Sequence, residues 1–176
     1  VSRPVGTTAG ALARQGFGDP EHTAAILAGP PLSGAVDTPL LAQLAAAADP
    51  DLALLSLSRI ADAVADSDRL LTQLDEDPDL AAGLAGVLGV SEALADHLVR
   101  HPDDISVLSG REPVPDRRQM IAALLDAVGA DPSVDPPIAT LVGADSVTAV
   151  RGAYRRILLQ IARADVVGGA EYDDVV

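Results

Sequence analysis

The chain has 176 residues, 12 cationic and 26 acidic side chains, and a formal net charge of −14. It has no cysteine, which excludes a disulfide framework, a thiolate metal site and a cysteine nucleophile. The negative balance and an aromatic content of 2% exclude a surface that wraps nucleic-acid phosphate or stacks bases.

Every cation is Arg, and 32 Ala and 24 Leu dominate the chain. Both are strong helix formers, and strand-favouring aromatics are nearly absent. An apolar content of 48% excludes a wholly disordered acidic tail. The expectation is an all-α, acidic, soluble domain: an irregular bundle of about 7–8 short to medium helices with no sheet. The chain starts with Val and its sole Met is Met120, as expected of a non-standard start or a piece of something longer. Ala11-Leu12-Ala13 resembles a signal-peptidase site, but the residues before it are too weakly apolar for a leader. The uncharged run Thr23 to Val36 contains Pro30 and Pro31 and is too short to span a bilayer. A cytoplasmic location is expected.

Asp-Pro punctuates the sequence at Asp19-Pro20, Asp49-Pro50, Asp77-Pro78, Asp131-Pro132 and Asp135-Pro136, and Thr38-Pro39 is similar. A short polar side chain accepts from free N–H groups of a first helical turn, and Pro at its first position loses no hydrogen bond. Most of these dipeptides therefore predict helix starts. Short helices are expected over Glu21 to Ala28, Pro39 to Ala48 and Ser67 to Leu74. After Pro50, Ala53, Leu57, Ile60, Ala61 and Val64 recur at helical spacing. After Pro78, Leu80, Leu84, Val87 and Leu88 form a stripe, with Gly89 as the expected stop. Ser91 and Glu92 open a helix carrying Leu94 and Leu98, which His101-Pro102 ends. A further helix is predicted from about Pro115 to Val128, with Met120, Ile121, Leu124, Leu125 and Val128 on one face. The last starts near Asp145 and turns Val150, Tyr154, Ile157, Leu158 and Ile161 inward until Gly168-Gly169. Linkers are expected over Gly29 to Asp37, Ser109 to Pro115 and Gly129 to Pro137. Residues 1–168 then form a single helical domain, and 169–176 an acidic frayed tail.

Three constellations could carry chemistry. His97 and His101, four apart among Asp96, Asp103 and Asp104, could hold zinc. They lack the Glu of the metalloprotease motif, and His101 sits at a helix end, so a structural role is the better reading. The pairs Asp49/Asp51, Asp66/Asp68, Asp75/Asp77 and Asp77/Asp79 have the spacing that holds Mg²⁺ in nucleotidyltransferases. No Gly-Ser phosphate turn precedes any of them, so helix capping is preferred. Arg151, Arg155, Arg156 and Arg163 gather cations on the last helix, for local pairing or for a docking face. No residue is assigned a catalytic, cofactor-binding or metal role.

Several segments share a familiar order: Ala48-Asp-Pro-Asp-Leu-Ala-Leu-Leu55, Leu57-Ser-Arg-Ile60, and Leu84-Ala-Gly-Val-Leu-Gly-Val-Ser91. They continue with Leu94-Ala-Asp-His-Leu-Val-Arg-His-Pro102 and Ala153-Tyr-Arg-Arg-Ile-Leu-Leu-Gln-Ile-Ala162. Over about residues 12–168 this order resembles the bifunctional glutamine synthetase adenylyltransferase/adenylyl-removing enzyme, in an actinobacterial version. Arg14-Gln-Gly-Phe-Gly-Asp-Pro20 looks like the start of that family's N-terminal half. The resemblance implies a much longer, two-halved enzyme. One half adenylylates glutamine synthetase with ATP and Mg²⁺; the other removes AMP by phosphorolysis, under control of glutamine and the PII signalling protein. This chain would be the helical lead-in to the adenylyl-removing half. It departs from the family in having Ala164 between Arg163 and Asp165, and in lacking the Gly-Ser turn and Asp-x-Asp strand. The expectation is a piece that is inactive alone. The alternative is a self-standing acidic helical interaction module without catalysis.

Overall fold

The structure, a computed structural model, describes residues 9–35, 38–111 and 113–168. Among them it is all-α: nine α-helices and two 3-10 segments, with no strand. The helices are α1 (Ala9–Arg14), α2 (Pro20–Ala28), α3 (Pro39–Ala45), α4 (Pro50–Ala63) and α5 (Ser67–Glu76). They continue with α6 (Pro78–Leu88), α7 (Glu92–Arg100), α8 (Arg117–Ala127) and α9 (Gly143–Gly168). The 3-10 segments are Leu32–Gly34 and Pro102–Ser109. Helix α1 and the second 3-10 segment were not expected, and α9, at 26 residues, is long rather than short to medium. The expected acidic tail over 169–176 and the stop at Gly169 lie outside the described residues.

Capping explains where most helices begin. Asp19, Asp49, Asp66 and Asp77 each accept from the backbone N–H three residues on, at 2.9 to 3.1 Å. Ser91 caps α7 in the same way. Asp116 and Gln119 form a reciprocal capping box at the start of α8. Thr38 departs from this pattern: its hydroxyl donates back to the Ala35 carbonyl, so Pro39 alone marks the start of α3. Asp131-Pro132 and Asp135-Pro136 start no helix. Asp131 instead accepts from the Ser133 N–H and hydroxyl, closing a local turn with no apolar period behind it.

The core is built around α6. Leu80, Ala81, Leu84, Ala85, Val87 and Leu88 are all buried, as expected of a helix covered on every side. It touches α3, α4, α5, α7, the second 3-10 segment and α9. Leu12, inside the leader-like run, is wholly buried in this same core. Gly89 does end α6, but its φ is −77°, not left-handed. Close approach requires the glycine: a Cβ there would meet the Ala47 Cβ at 2.8 Å.

Candidate functional site: the outer helix pair and its anchoring

The last two helices differ from the rest of the molecule. Helix α8 buries no residue, and Ile121, a member of its expected apolar face, is 47% exposed. Its neighbour is α9, whose Ile157 is buried beside the cleft between them, and Val128 and Ala130, just past α8, are buried too. Thr140 and Leu141 fold the connecting loop back by donating to the Val128 carbonyl, each at 3.0 Å. Between α8 and α9 runs a cleft of about 570 Å³, walled by Pro115, Ala123, Ala127, Ala153, Arg156 and Ile157.

Helix α9 meets the bundle through a flank that its apolar pattern does not mark. Leu159, outside the predicted stripe, is wholly buried in the core. Gly83 and Gly86 of α6 give α9 room: Cβ atoms there would meet Arg163 Cγ at 3.2 Å and Val166 Cγ1 at 2.7 Å. The Arg163 guanidinium covers Gly110, whose φ of +67° and lack of a Cβ both suit the contact. Arg156 donates to Asp104 at 2.9 Å. The other Asp104 oxygen lies 2.8 Å from Nε2 of the buried His97. One carboxylate thus joins α7, the second 3-10 segment and α9.

The expected inward face of α9 is therefore corrected. Of its members, Ile157 is buried, Leu158 reaches the margin of the core, and Val150 and Tyr154 are 36% and 51% exposed. At 3.6 residues per turn, Val147, Val150, Tyr154, Leu158 and Ile161 share a sector about 80° wide. Leu159, Ala162, Arg163 and Val166 centre roughly 130° away from it. A small-residue face on α6 accepts a flank of α9 that carries Arg and Ala, which leaves much of the apolar stripe outward.

The other constellations resolve into local roles. His97 is committed to Asp104, while His101 is exposed with its ring 4.7 Å from that of His97. Among the described residues, no three His, Cys, Asp or Glu side chains come together as a metal centre requires. In the Asp-x-Asp pairs, Asp49, Asp66 and Asp77 are caps, and Asp77 also pairs with Arg111. Asp51 does something its spacing did not show. Its carboxylate accepts from the Gly18 N–H at 2.6 Å, the Asp19 N–H at 3.3 Å and the Thr23 hydroxyl at 3.1 Å. It ties the start of α2 to α4 across 28 to 33 residues of sequence. Four of the seven aspartates in these pairs, Asp49, Asp51, Asp66 and Asp77, are thus capping or tying groups.

Two carboxyls are held below the ordinary range. A hydrogen bond from Arg59, and its charge, lower Asp96. Hydrogen bonds from the Ser133 hydroxyl and N–H lower Asp131. Neither lies on α8 or α9. No described helix is long and apolar enough to cross a membrane.

No protein-family model matches the chain, and no solved structure matches it. Individual relatives do. The chain is 40% identical over 161 residues to the bifunctional glutamine synthetase adenylyltransferase/adenylyl-removing enzyme of Streptomyces avermitilis. That match covers 89% of this chain and 15% of the relative. The Streptomyces coelicolor enzyme gives the same identity and coverage. The Corynebacterium diphtheriae enzyme is 30% identical over 166 residues, covering 73% of this chain and 16% of its own length. The chain thus spans about one seventh of the curated relatives it matches. On this sequence similarity, carried on an all-α fold, the chain belongs to the family of the actinobacterial bifunctional glutamine synthetase adenylyltransferase/adenylyl-removing enzymes.

Proposed function

We propose that this chain is the N-terminal helical part of an enzyme that adenylylates and de-adenylylates glutamine synthetase in the cytoplasm, so controlling nitrogen assimilation. It precedes the adenylyl-removing core and is non-catalytic by itself. The observation that carries the reading is the match itself: 40% identity along 89% of this chain, but along 15% of the relative. The spent state of the carboxylates supports it, because Asp49, Asp51, Asp66 and Asp77 are all engaged with backbone donors. In this reading ATP and Mg²⁺ are handled by the rest of the long protein, which also meets glutamine synthetase and the PII signalling protein. The role of the helical part is to support and present that core.

The test is direct. The purified 176-residue chain is incubated with adenylylated glutamine synthetase and phosphate, and separately with unmodified glutamine synthetase, ATP and Mg²⁺. Neither ADP release nor AMP transfer is expected. Turnover in either direction overturns the non-catalytic assignment. In parallel, this chain replaces the matching segment of the Streptomyces avermitilis relative. Retention of both activities supports the family role, and loss of both in a folded protein overturns it.

A further inference from the structure

We infer that the outward stripe of α9 is a docking face whose occupant is an apolar surface bordered by carboxylates, carried by the rest of the long family protein. The inference rests on the reading just given and names the contact that it leaves open. Val147, Val150 and Tyr154 are 48%, 36% and 51% exposed, on one face of a helix whose other flank is already used. Eleven of the thirteen exposed large hydrophobic residues fall between Val114 and Val167. Apolar exposure is thus concentrated on α8, α9 and their loops, as at an interaction surface.

Charge selects the kind of partner. Residues 1–110 carry 5 Arg against 16 Asp and Glu, a net of −11. Residues 143–168 carry four Arg against two Asp, a net of +2. Arg151 and Arg155 stand one turn apart along the edge of the stripe away from α8, and neither forms an ion pair among the described residues. Arg59, Arg111 and Arg156 each do, whereas Arg14, Arg69, Arg100, Arg117, Arg118 and Arg163 do not among the described residues, so it is the position of Arg151 and Arg155 beside the apolar stripe that sets them apart. An acidic border on the occupant would give this edge its counter-charge. A second copy is a poor occupant: it would bring a like-charged helix to this face, and two bodies of net charge −14 repel. The relatives hold the remaining 85% of their length in the same polypeptide as the matched segment. An occupant supplied in this way is present at roughly millimolar effective concentration.

The experiment compares the 176-residue chain with the long protein in which it replaces the matching Streptomyces avermitilis segment. Val150→Cys, Tyr154→Cys and, as an exposed control on α4, Asp62→Cys are introduced singly into both. Maleimide labelling is timed at each site by peptide mass spectrometry. Labelling at positions 150 and 154 is expected to be at least ten times slower in the long protein, with position 62 unchanged. Adding Arg151→Glu and Arg155→Glu to the Tyr154→Cys long protein should speed its labelling at least fivefold at low salt. Equal rates at positions 150 and 154 in the two proteins overturn the docking face. So does protection already present in a 176-residue chain that sediments as a dimer, which makes a second copy the occupant. Protection that ignores both charge reversals overturns the acidic border. Turnover of glutamine synthetase by the long protein reads the functional assignment separately. An active protein with fast labelling refutes the docking alone, and an inactive one with slow labelling refutes the function alone.

Discussion

Replacing Gly83 with Ala tests the packing that places α9. In a helix interior, Gly→Ala ordinarily stabilises by about 0.8–1.0 kcal/mol. At Gly83 the added Cβ would stand 2.2 Å from the Leu108 carbonyl oxygen and 3.2 Å from Arg163 Cγ. The first obstacle is backbone, so relief requires the second 3-10 segment to retreat by about 1 Å to reach ordinary contact. That retreat would loosen Leu108 and Ile105, both buried. Overpacking of this kind costs about 1–3 kcal/mol, and the disturbed 3-10 contact adds to it, so the net change should be a loss of roughly 1–2 kcal/mol. Gly152 of α9 is the matched control, since a Cβ there meets nothing within 4 Å. Gly152→Ala should stabilise by about 0.5–1 kcal/mol. Urea unfolding followed by circular dichroism reads both, and melting should shift in opposite directions by about 2–4 °C per kcal/mol. A Gly83→Ala protein as stable as Gly152→Ala would refute the close contact between α6 and the 3-10 segment.

Three further outcomes are expected. Asp51→Ala should cost about 1.5–3 kcal/mol in urea unfolding, because it removes a charged acceptor from three donors and frees the start of α2; a loss below about 0.5 kcal/mol would be that of an ordinary surface residue. Asp104→Asn should destabilise by about 1.5–3 kcal/mol by weakening the contact to the buried His97, whereas Arg156→Ala should cost less than about 1 kcal/mol because that pair is exposed on the Arg side; equal losses would show that the anchoring does not run through His97. The Asp96 carboxyl, lowered by Arg59, should titrate in the folded protein below its ordinary 3.8. Its contribution to stability is then present above that value and lost as pH falls through the lower folded value. Carboxyl NMR shifts should show the low midpoint, and Arg59→Ala should return it toward 3.8.

Fold class and most helix starts were legible in the residues alone, because those depend on interactions within a few positions. Asp19, Asp49 and Asp77 cap helices wherever they are placed, since each acceptor reaches an N–H three positions on. The same capping logic, preferred for the Asp-x-Asp pairs, holds for Asp49, Asp66 and Asp77. Asp131 and Asp135 show its limit: the dipeptide is present, but no periodic apolar segment follows to make a helix worth capping. Contacts distant in sequence were decided by the tertiary structure. Periodicity identified an apolar stripe on α9 but not its neighbour. The glycines of α6, together with Asp104 and Gly110, take up the flank bearing Leu159 and Arg163, and they turn Val150 and Tyr154 outward. Asp51 was expected, with its pair partner, to serve helix capping, yet its reach to Gly18 and Thr23 exists only once α2 lies against α4. Local hydrogen bonding is written in adjacent residues; which face of a helix is covered depends on shape complementarity between surfaces that the chain brings together only by folding.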